Sequence, residues 1–423
     1  MSEPTGVVSG TRRGLLLLVH RIPYPPDKGD KIRSYHLLRF LAARFDVYLG
    51  AFVDDESDFV HREVLEALCK EVFLVGLRPT SKRLRSLSGL LTNEPLSMPY
   101  YRDPAMRRWV ASKRSEGAFD AAVTFSSTMA QYTDAVGLPT IADIVDLDSE
   151  KWHEYAQRKP WPLSWIYQRE GRTLRSVEEQ IIVGQEAALL ISDNERSLLS
   201  DDLAKRVTVV GNGVDTEFFS PAVHFENPFP AQERAIVFTG AMDYFANADA
   251  VTWFATNVFP HVLNKVDNAT FYIVGSRPSE AVMRLQAADR VNVTGRVEDV
   301  RPYLRYAHAV VAPLQVARGI QNKVLEALSM EKAVVATRAA MEGISHDDAR
   351  VATIADEPQQ FAEQVIDFAA RDTVLVNRHG RRFVEEHFSW EAHLSGLLPI
   401  LERLGFAHAL SEPHTAGAKQ VAI

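Results

Sequence analysis

Arg318, Gly319, Asn322, Lys323 and Glu326 fall in one short run, RGIQNKVLE, which continues as ALSMEKAVVAT. Their types suit one chemistry. A glycine-led helix start leaves backbone N–H groups unbonded and presents the positive end of the helix dipole, a natural seat for a phosphate. Arg318 and Lys323 would add fixed positive charge as the charge-stabilising pair. Glu326, one turn on, would accept from two sugar hydroxyls, with Gly319 and Asn322 completing the donor-binding set. Read this way, the run grips a nucleoside diphosphate. The Lys323–Glu326 spacing is equally that of an exposed helical salt bridge worth roughly 0.2–0.5 kcal/mol, so the surrounding elements must decide.

Further candidates lie in the first half. In HRIPYPPDKGDKIRS, Pro23, Pro25 and Pro26 stiffen a turn. Gly29 would let a phosphate or acceptor approach the backbone, and Asp30 would cap a helix beginning near Lys31. His20, at the end of the first apolar run, is the histidine placed to act. Asp146 and Asp148, with Asp143 in IADIVDLDSEKW, form a polar strand-end cluster; an Asp-x-Asp pair can hold a hard divalent cation, or cap the next helix and line a loop. No histidine pair has metal-ligand spacing. Neither a G-x-G-x-x-G after the first strand nor a P-loop occurs, which removes the main support for dinucleotide oxidoreductases and P-loop enzymes.

The elements that must position these residues are short apolar runs alternating with helical segments. In the first half the runs are 15–19, 47–52, 72–75, 121–124, 140–144, 189–191 and 207–210. In the second they are 236–239, 271–274, 291–293, 309–312, 333–336 and 351–354. Such alternation predicts parallel sheets with helices on both faces, and continuous apolar runs predict strands covered on both sides. A proline-rich polar stretch around Pro221, Pro228 and Pro230 marks a seam. The expected organisation is one α/β domain over 12–212 and a second over 213–388. A closing helix over 389–408 would pack back toward the first, and 1–11 and 409–423 would be flexible tails. Two such halves would leave a cleft at the carboxyl ends of their strands, the usual ligand position in these sheets.

Composition narrows the classes. The 423 residues are 46% hydrophobic and 24% charged, with a net charge of −8 that argues against nucleic-acid binding. The lone cysteine, Cys69, excludes an internal disulfide and fits a reducing, cytoplasmic setting. The run 15–19 is too short for a signal-peptide core or a membrane span. One stretch opposes the acidic trend: residues 78–114 carry nine cations against Glu94 and Asp103 alone. With leucines interleaved, Lys82, Arg83, Arg85, Arg107, Arg108 and Trp109 read as a surface for an anionic membrane. The same pattern also fits a solvated face over core-facing apolar residues.

PPDKGDKIRSYHLL, VVGNGVDTEFFSP, FTGAMDYFANADAVTWF, FYIVG, VNVTGRVEDV, AVVAPL and NKVLEALSMEKAVVAT together span nearly the whole chain. In combination they resemble the retaining glycosyltransferases of family 4, glycosyl transferases group 1. PYPPDKGDKIRSYH, SSTMAQY, DIVDLDSEKW and ARGIQNKVLEAL are similar to the branch accompanying exosortase and exopolysaccharide systems in bacteria. The resemblance implies the GT-B architecture, two facing Rossmann-like domains. It implies transfer of a sugar from a nucleotide donor to an acceptor hydroxyl with retention, without a metal or other cofactor. The acceptor would be lipid-linked, at the inner face of the plasma membrane. Glu326 matches the second glutamate of the family's E-x7-E signature, which binds the donor ribose, and the first falls on Arg318. Gly29 matches the first-loop glycine beside the donor phosphates and the acceptor. Gly240 stands where the second half's first strand ends, in Gly240-Ala241-Met242-Asp243, where the family often carries an arginine and a lysine. Arg318 and Lys323 would replace those cations. Two other classes stay open: a non-catalytic nucleotide-sugar-binding protein, and an epimerase or hydrolase of sugar nucleotides on the same architecture.

Overall fold

Among the described residues the apolar runs form thirteen parallel strands in two sheets. The computed structural model describes residues 12–77, 89–92, 94–157, 159–317, 319–344 and 350–406. Arg318, Lys82, Arg83, Arg85 and both expected tails, 1–11 and 409–423, lie outside the described residues.

The first sheet contains β1 (Gly14–Val19), β2 (Asp46–Val53), β3 (Glu71–Gly76), β4 (Ala121–Phe125), β5 (Thr140–Val145), β6 (Ala187–Leu190) and β7 (Val207–Val209), in the order β3-β2-β1-β4-β5-β6-β7. Leu15, Leu16, Leu17, Leu18 and Val19 are all fully buried, as a strand flanked by helices on both faces requires. The second sheet contains β8 (Arg234–Thr239), β9 (Ala269–Val274), β10 (Val291–Gly295), β11 (Ala309–Ala312), β12 (Val334–Ala336) and β13 (Thr353–Ile354), in the order β10-β9-β8-β11-β12-β13. Its core is rich in rings: Phe254 packs on Phe271 at 4.6 Å between centroids and on Phe361 at 5.8 Å.

In each sheet the chain starts in the middle, winds outward, then returns to the other side. Strand order therefore reverses between β1 and β4 and again between β8 and β11. Helices that follow strands on either side of such a point diverge, opening a crevice at the strands' carboxyl ends.

The chain divides into two compact units, one over Gly213–Ala392 and one up to Asn212 that the chain rejoins at His393. In place of a single closing helix over 389–408 come the short helical pieces Trp390–Leu394, Ser395–Leu397, Leu398–Leu401 and Glu402–Phe406. Pro399 has no amide hydrogen and Gly405 takes φ 84°, so no continuous α-helix can run through both. Within the first unit, Arg13 Nη1 donates to Gly405 O at 2.7 Å and Phe45 meets Phe406 edge-on at 5.3 Å.

The basic stretch has a face the sequence leaves undecided. Asp103 accepts from Ala105 N and caps the helix Pro104–Ser115, and Met106, Trp109 and Val110 on it are buried. Trp109 stacks on Phe73 at 5.0 Å and its Nε1 donates to Glu71. It is a core residue, and its assignment to a membrane surface is corrected on that ground. Arg107 and Arg108 face outward. No helix among the described residues is long and apolar enough to cross a membrane.

Candidate functional site

A cavity of about 630 Å³ opens in the second unit at the exits of β8, β9 and β10, beside the helix Asn322–Ser329. That helix joins β11 to β12, so the cavity occupies the β8/β11 switch point. Its floor is two glycines in close approach. Gly240 N donates to Val274 O at 3.0 Å, and a Cβ on Gly275 would come 1.7 Å from Gly240 O. A side chain at Gly275 would close the gap between the two exit loops, and a Cβ on Gly240 would fall 2.7 Å from Asn247 Nδ2.

Lys323 and Glu326 reach this cavity together with Asn322, Ile320 and Gly240. The helix is capped by no side chain; Val324 N donates back to Gln321 O at 3.0 Å, and the helix start presents the positive end of its dipole to an anion. Gly319 stands just ahead of it at φ 68°, in the left-handed region where a side chain would be strained. Gly343 then lets the next loop pack against it, since a Cβ there would lie 2.6 Å from Ile320 N.

Lys323 Nζ donates to Asn247 Oδ1 at 2.9 Å and lies 5.4 Å from the centre of the Phe238 ring. Asn247 is itself fixed, its Nδ2 donating to Ala241 O at 2.9 Å. Burial pulls the Lys323 ammonium down to about 8, against the pull of Glu326. Burial pushes the Glu326 carboxyl up to about 7, against the pull of Lys323. Both groups thus titrate near neutral pH where they face the cavity. An anion placed by Lys323, or hydroxyls placed by Glu326, would supply the solvation each has lost.

Asn247, Gly275, Ser276 and Arg296 also line the cavity and are absent from the residues picked by motif. Asn247 offers no sequence signal beyond its place in the first turn after β8. Arg296 is exposed and has no ion-pair partner among the described residues. It follows β10, and an arginine just after a strand exit was the available clue.

In the first unit, His20 follows β1 and stacks on Phe125 of β4 at 5.7 Å, at the other switch point. Its Nε2 lies 3.4 Å from Asp30 Oδ2, which also accepts from Arg21 Nη1 at 2.5 Å. Burial opposes ionisation of Asp30, but His20 and Arg21 outweigh it and hold the carboxyl well below the usual range. Asp30 is therefore part of an ion cluster. The helix begins at Gly29, one residue earlier than Asp30 could cap, and Lys28 at its N-cap makes no side-chain cap. Gly29 itself has open space around its Cα, room for a ligand at the helix start. Nearby exits are strained: Ser126 after β4 has φ 81° and Val145 at the end of β5 has φ 71°.

Asp146 and Asp148 do not converge on an empty space. Both accept from Lys151 Nζ, at 2.8 and 3.0 Å. No group of three or more metal-ligating side chains occurs among the described residues. Asp143 is instead fully buried against Arg33, with Nε–Oδ2 2.9 Å and Nη2–Oδ1 3.1 Å, and Arg33 Nη1 also donates to Gly211 O and Asn212 Oδ1.

Comparison with known proteins agrees with this geometry. Residues 233–371 match the family model described as glycosyl transferases group 1, which covers the cavity and the helix Asn322–Ser329. None of the curated protein sequences matches the chain. Among solved structures, the chain is similar to sucrose-phosphate synthase from Thermosynechococcus elongatus: 16% identity, covering 94% of this chain and 100% of that one, TM-score 0.58. It is similar to a glycosyltransferase from Rickettsia africae at 12% identity, covering 93% and 98%, TM-score 0.57. It is similar to HepE from Anabaena, solved with UDP, at 14% identity, covering 93% and 99%, TM-score 0.56. At these identities the likeness is one of fold: two parallel-sheet Rossmann-like domains, the GT-B fold.

Proposed function

We propose that the protein is a glycosyltransferase whose second-unit cavity holds a nucleoside diphosphate sugar. The observation that carries this is the meeting of Lys323, Glu326 and an uncapped helix start in one cavity at a topological switch point. The family match over the same residues supports it, as do the HepE structures with UDP and with UDP-glucose.

In this reading the diphosphate lies at the start of the helix Asn322–Ser329, beside Gly319 and Lys323, with Arg318 as a second cation. Glu326 accepts from the ribose hydroxyls, and the Gly240–Gly275 floor lets the donor lie against backbone. The acceptor hydroxyl oxygen bonds to the anomeric carbon, the nucleoside diphosphate leaves with the electron pair of the broken C–O bond, and its β-phosphate oxygen takes the hydroxyl's proton, with retention. Negative charge grows on the β-phosphate. A unit charge about 4 Å away is worth roughly 4 kcal/mol there at an effective dielectric near 20. Preorganised donors aimed at that oxygen are the main catalytic resource.

The reading needs no divalent metal, since cations and helix dipole supply the positive charge, and turnover is expected to survive EDTA. Asp146 and Asp148, already shared by Lys151, fit a polar loop better than a metal seat. On the acceptor side, His20, Gly29 and Asp30 border the first unit's switch point, and a lipid-linked saccharide of an exopolysaccharide or other bacterial surface glycan fits the resemblance. Work at the inner face of the plasma membrane would follow. The test is a thermal-shift screen of UDP-, GDP- and TDP-sugars, because a ligand binding only the folded state raises the melting temperature. A shift lost in Lys323→Ala supports the site; an undiminished shift rejects it.

A further inference from the structure

The helices Asp148–Gln157 and Leu163–Gly184 form an antiparallel hairpin in the first unit that the donor site does not use. Its shaft is tightly joined. Ser149 donates to the buried Glu178 through its N–H and its hydroxyl. Trp152 meets Tyr167 at 5.1 Å, and a Cβ on Gly171 would fall 2.6 Å from the His153 ring. At the turn end the pattern inverts. Tyr155 is 48% exposed, Trp161 80%, Leu163 44% and Trp165 54%. Four large apolar side chains within eleven residues, on a rigid support, form the kind of patch that marks a contact surface.

Charge indicates what it contacts. From Glu154 to Arg172 the sequence carries Arg158, Lys159, Arg169 and Arg172 against Glu154 and Glu170, in a chain of net charge −8. Glu170 is buried and occupied, accepting from Leu96 N and Ser97 N. Beside Trp165 lies a groove of about 370 Å³ lined by His153, Gln168, Arg169, Arg172 and Arg175. Arg169 is anchored by the carbonyls of Glu94 and Gly89, and Arg175 by Glu150 and Glu179. Arg172 is exposed and has no partner among the described residues. Two copies of this end placed face to face would bring like charges together. Tryptophans flanked by cations suit the headgroup layer of an anionic bilayer.

We propose that this hairpin end docks the protein on an anionic phospholipid bilayer, with Trp161, Leu163 and Trp165 entering the headgroup boundary and Arg172 meeting lipid phosphate. The proposal deepens the membrane part of the reading above, and its test needs no nucleotide. The full chain is floated with vesicles of phosphatidylcholine alone and of equal parts phosphatidylcholine and phosphatidylglycerol. Binding is expected only to the anionic vesicles, with a blue shift of tryptophan emission. Trp161→Ala/Trp165→Ala should lower the bound fraction about tenfold or more, and Arg172→Gln should weaken binding and its salt dependence. The donor-induced thermal shift, read in parallel, reports folding and tests the sugar-transfer reading separately. The proposal is overturned if the wild type ignores anionic vesicles, or if the double tryptophan variant binds undiminished. It is also overturned if Arg107→Gln/Arg108→Gln abolishes binding while the tryptophan pair is silent, or if the hairpin end instead mediates a dimer.

Discussion

In the proposed reading Lys323 and Glu326 hold the donor, and their burial makes specific demands on pH. A phosphate is held by the ammonium form of Lys323, which burial places below about pH 8. Ribose hydroxyls are held best by the carboxylate form of Glu326, which burial places above about pH 7. Lys323 loses its charge as pH rises and Glu326 loses its charge as pH falls, so donor affinity should peak between these values and decline on both sides. The two groups interact, so the observed limits belong to the pair. Calorimetric titration of the donor from about pH 6 to about pH 9.5 checks this; a flat profile counts against both roles. In kinetics, Lys323→Ala should lower kcat/KM roughly 10²-fold, with Arg318→Ala of similar size and Glu326→Gln acting mainly on KM. Arg33 and Asp143 play a different part. Both are fully buried and each satisfies the other, so Asp143→Ala strands a guanidinium and should cost about 3–5 kcal/mol by denaturant titration. Sequence alone made Glu326 and Lys323 legible through the helix pattern after a glycine. Asn247, which orients Lys323, was not, because its role exists only once the β8 exit folds over the helix.

At the level of elements, the strand exits of the second sheet are the least tolerant part of the site. Gly275→Ala sets a Cβ against Gly240 O, with backbone on both sides and nothing flexible to yield. It should destabilise the second unit by roughly 3 kcal/mol or more and abolish the donor-induced thermal shift. Gly319→Ala meets nothing within 4 Å and carries only the penalty of φ 68°, about 1 kcal/mol; a loss as large as that of Gly275→Ala would contradict this distinction. Every apolar run read as a strand is one, since strands buried on both faces leave an unbroken apolar signature. Boundaries moved by a residue or two, which matters little. The helix Pro104–Ser115 shows where such reading stops. Its apolar stripe and its cations are both plain in the sequence, but whether Trp109 meets core or membrane depends on Phe73 and Glu71, which are distant along the chain. Likewise Lys31, in the loop read as ligand-facing, is buried against Asp58.

Over the whole molecule, two α/β domains were legible because β-α alternation runs on both sides of the proline seam, and the family resemblance supplied the GT-B architecture. The form of the closing segment, short helical pieces in place of one helix, was less legible. From His393 the chain belongs with the first unit, and Leu394, Leu397, Ile400, Leu401 and Phe406 are buried there. Each such side chain is worth about 1.5–3 kcal/mol when fully buried. A chain ending at Ala392 should therefore lose several kcal/mol from the first unit while the second retains donor binding, which urea titration and thermal shift would resolve. The central claim is narrower than the fold: the cavity around Lys323 and Glu326 binds a nucleoside diphosphate sugar. Titrating a panel of such sugars into the wild type and Lys323→Ala by calorimetry tests it most directly. The account predicts that at least one sugar nucleotide binds the wild type, and that Lys323→Ala weakens it about 10²-fold while the protein stays folded. Equal affinity in the two proteins, or no binding by the wild type, would contradict it.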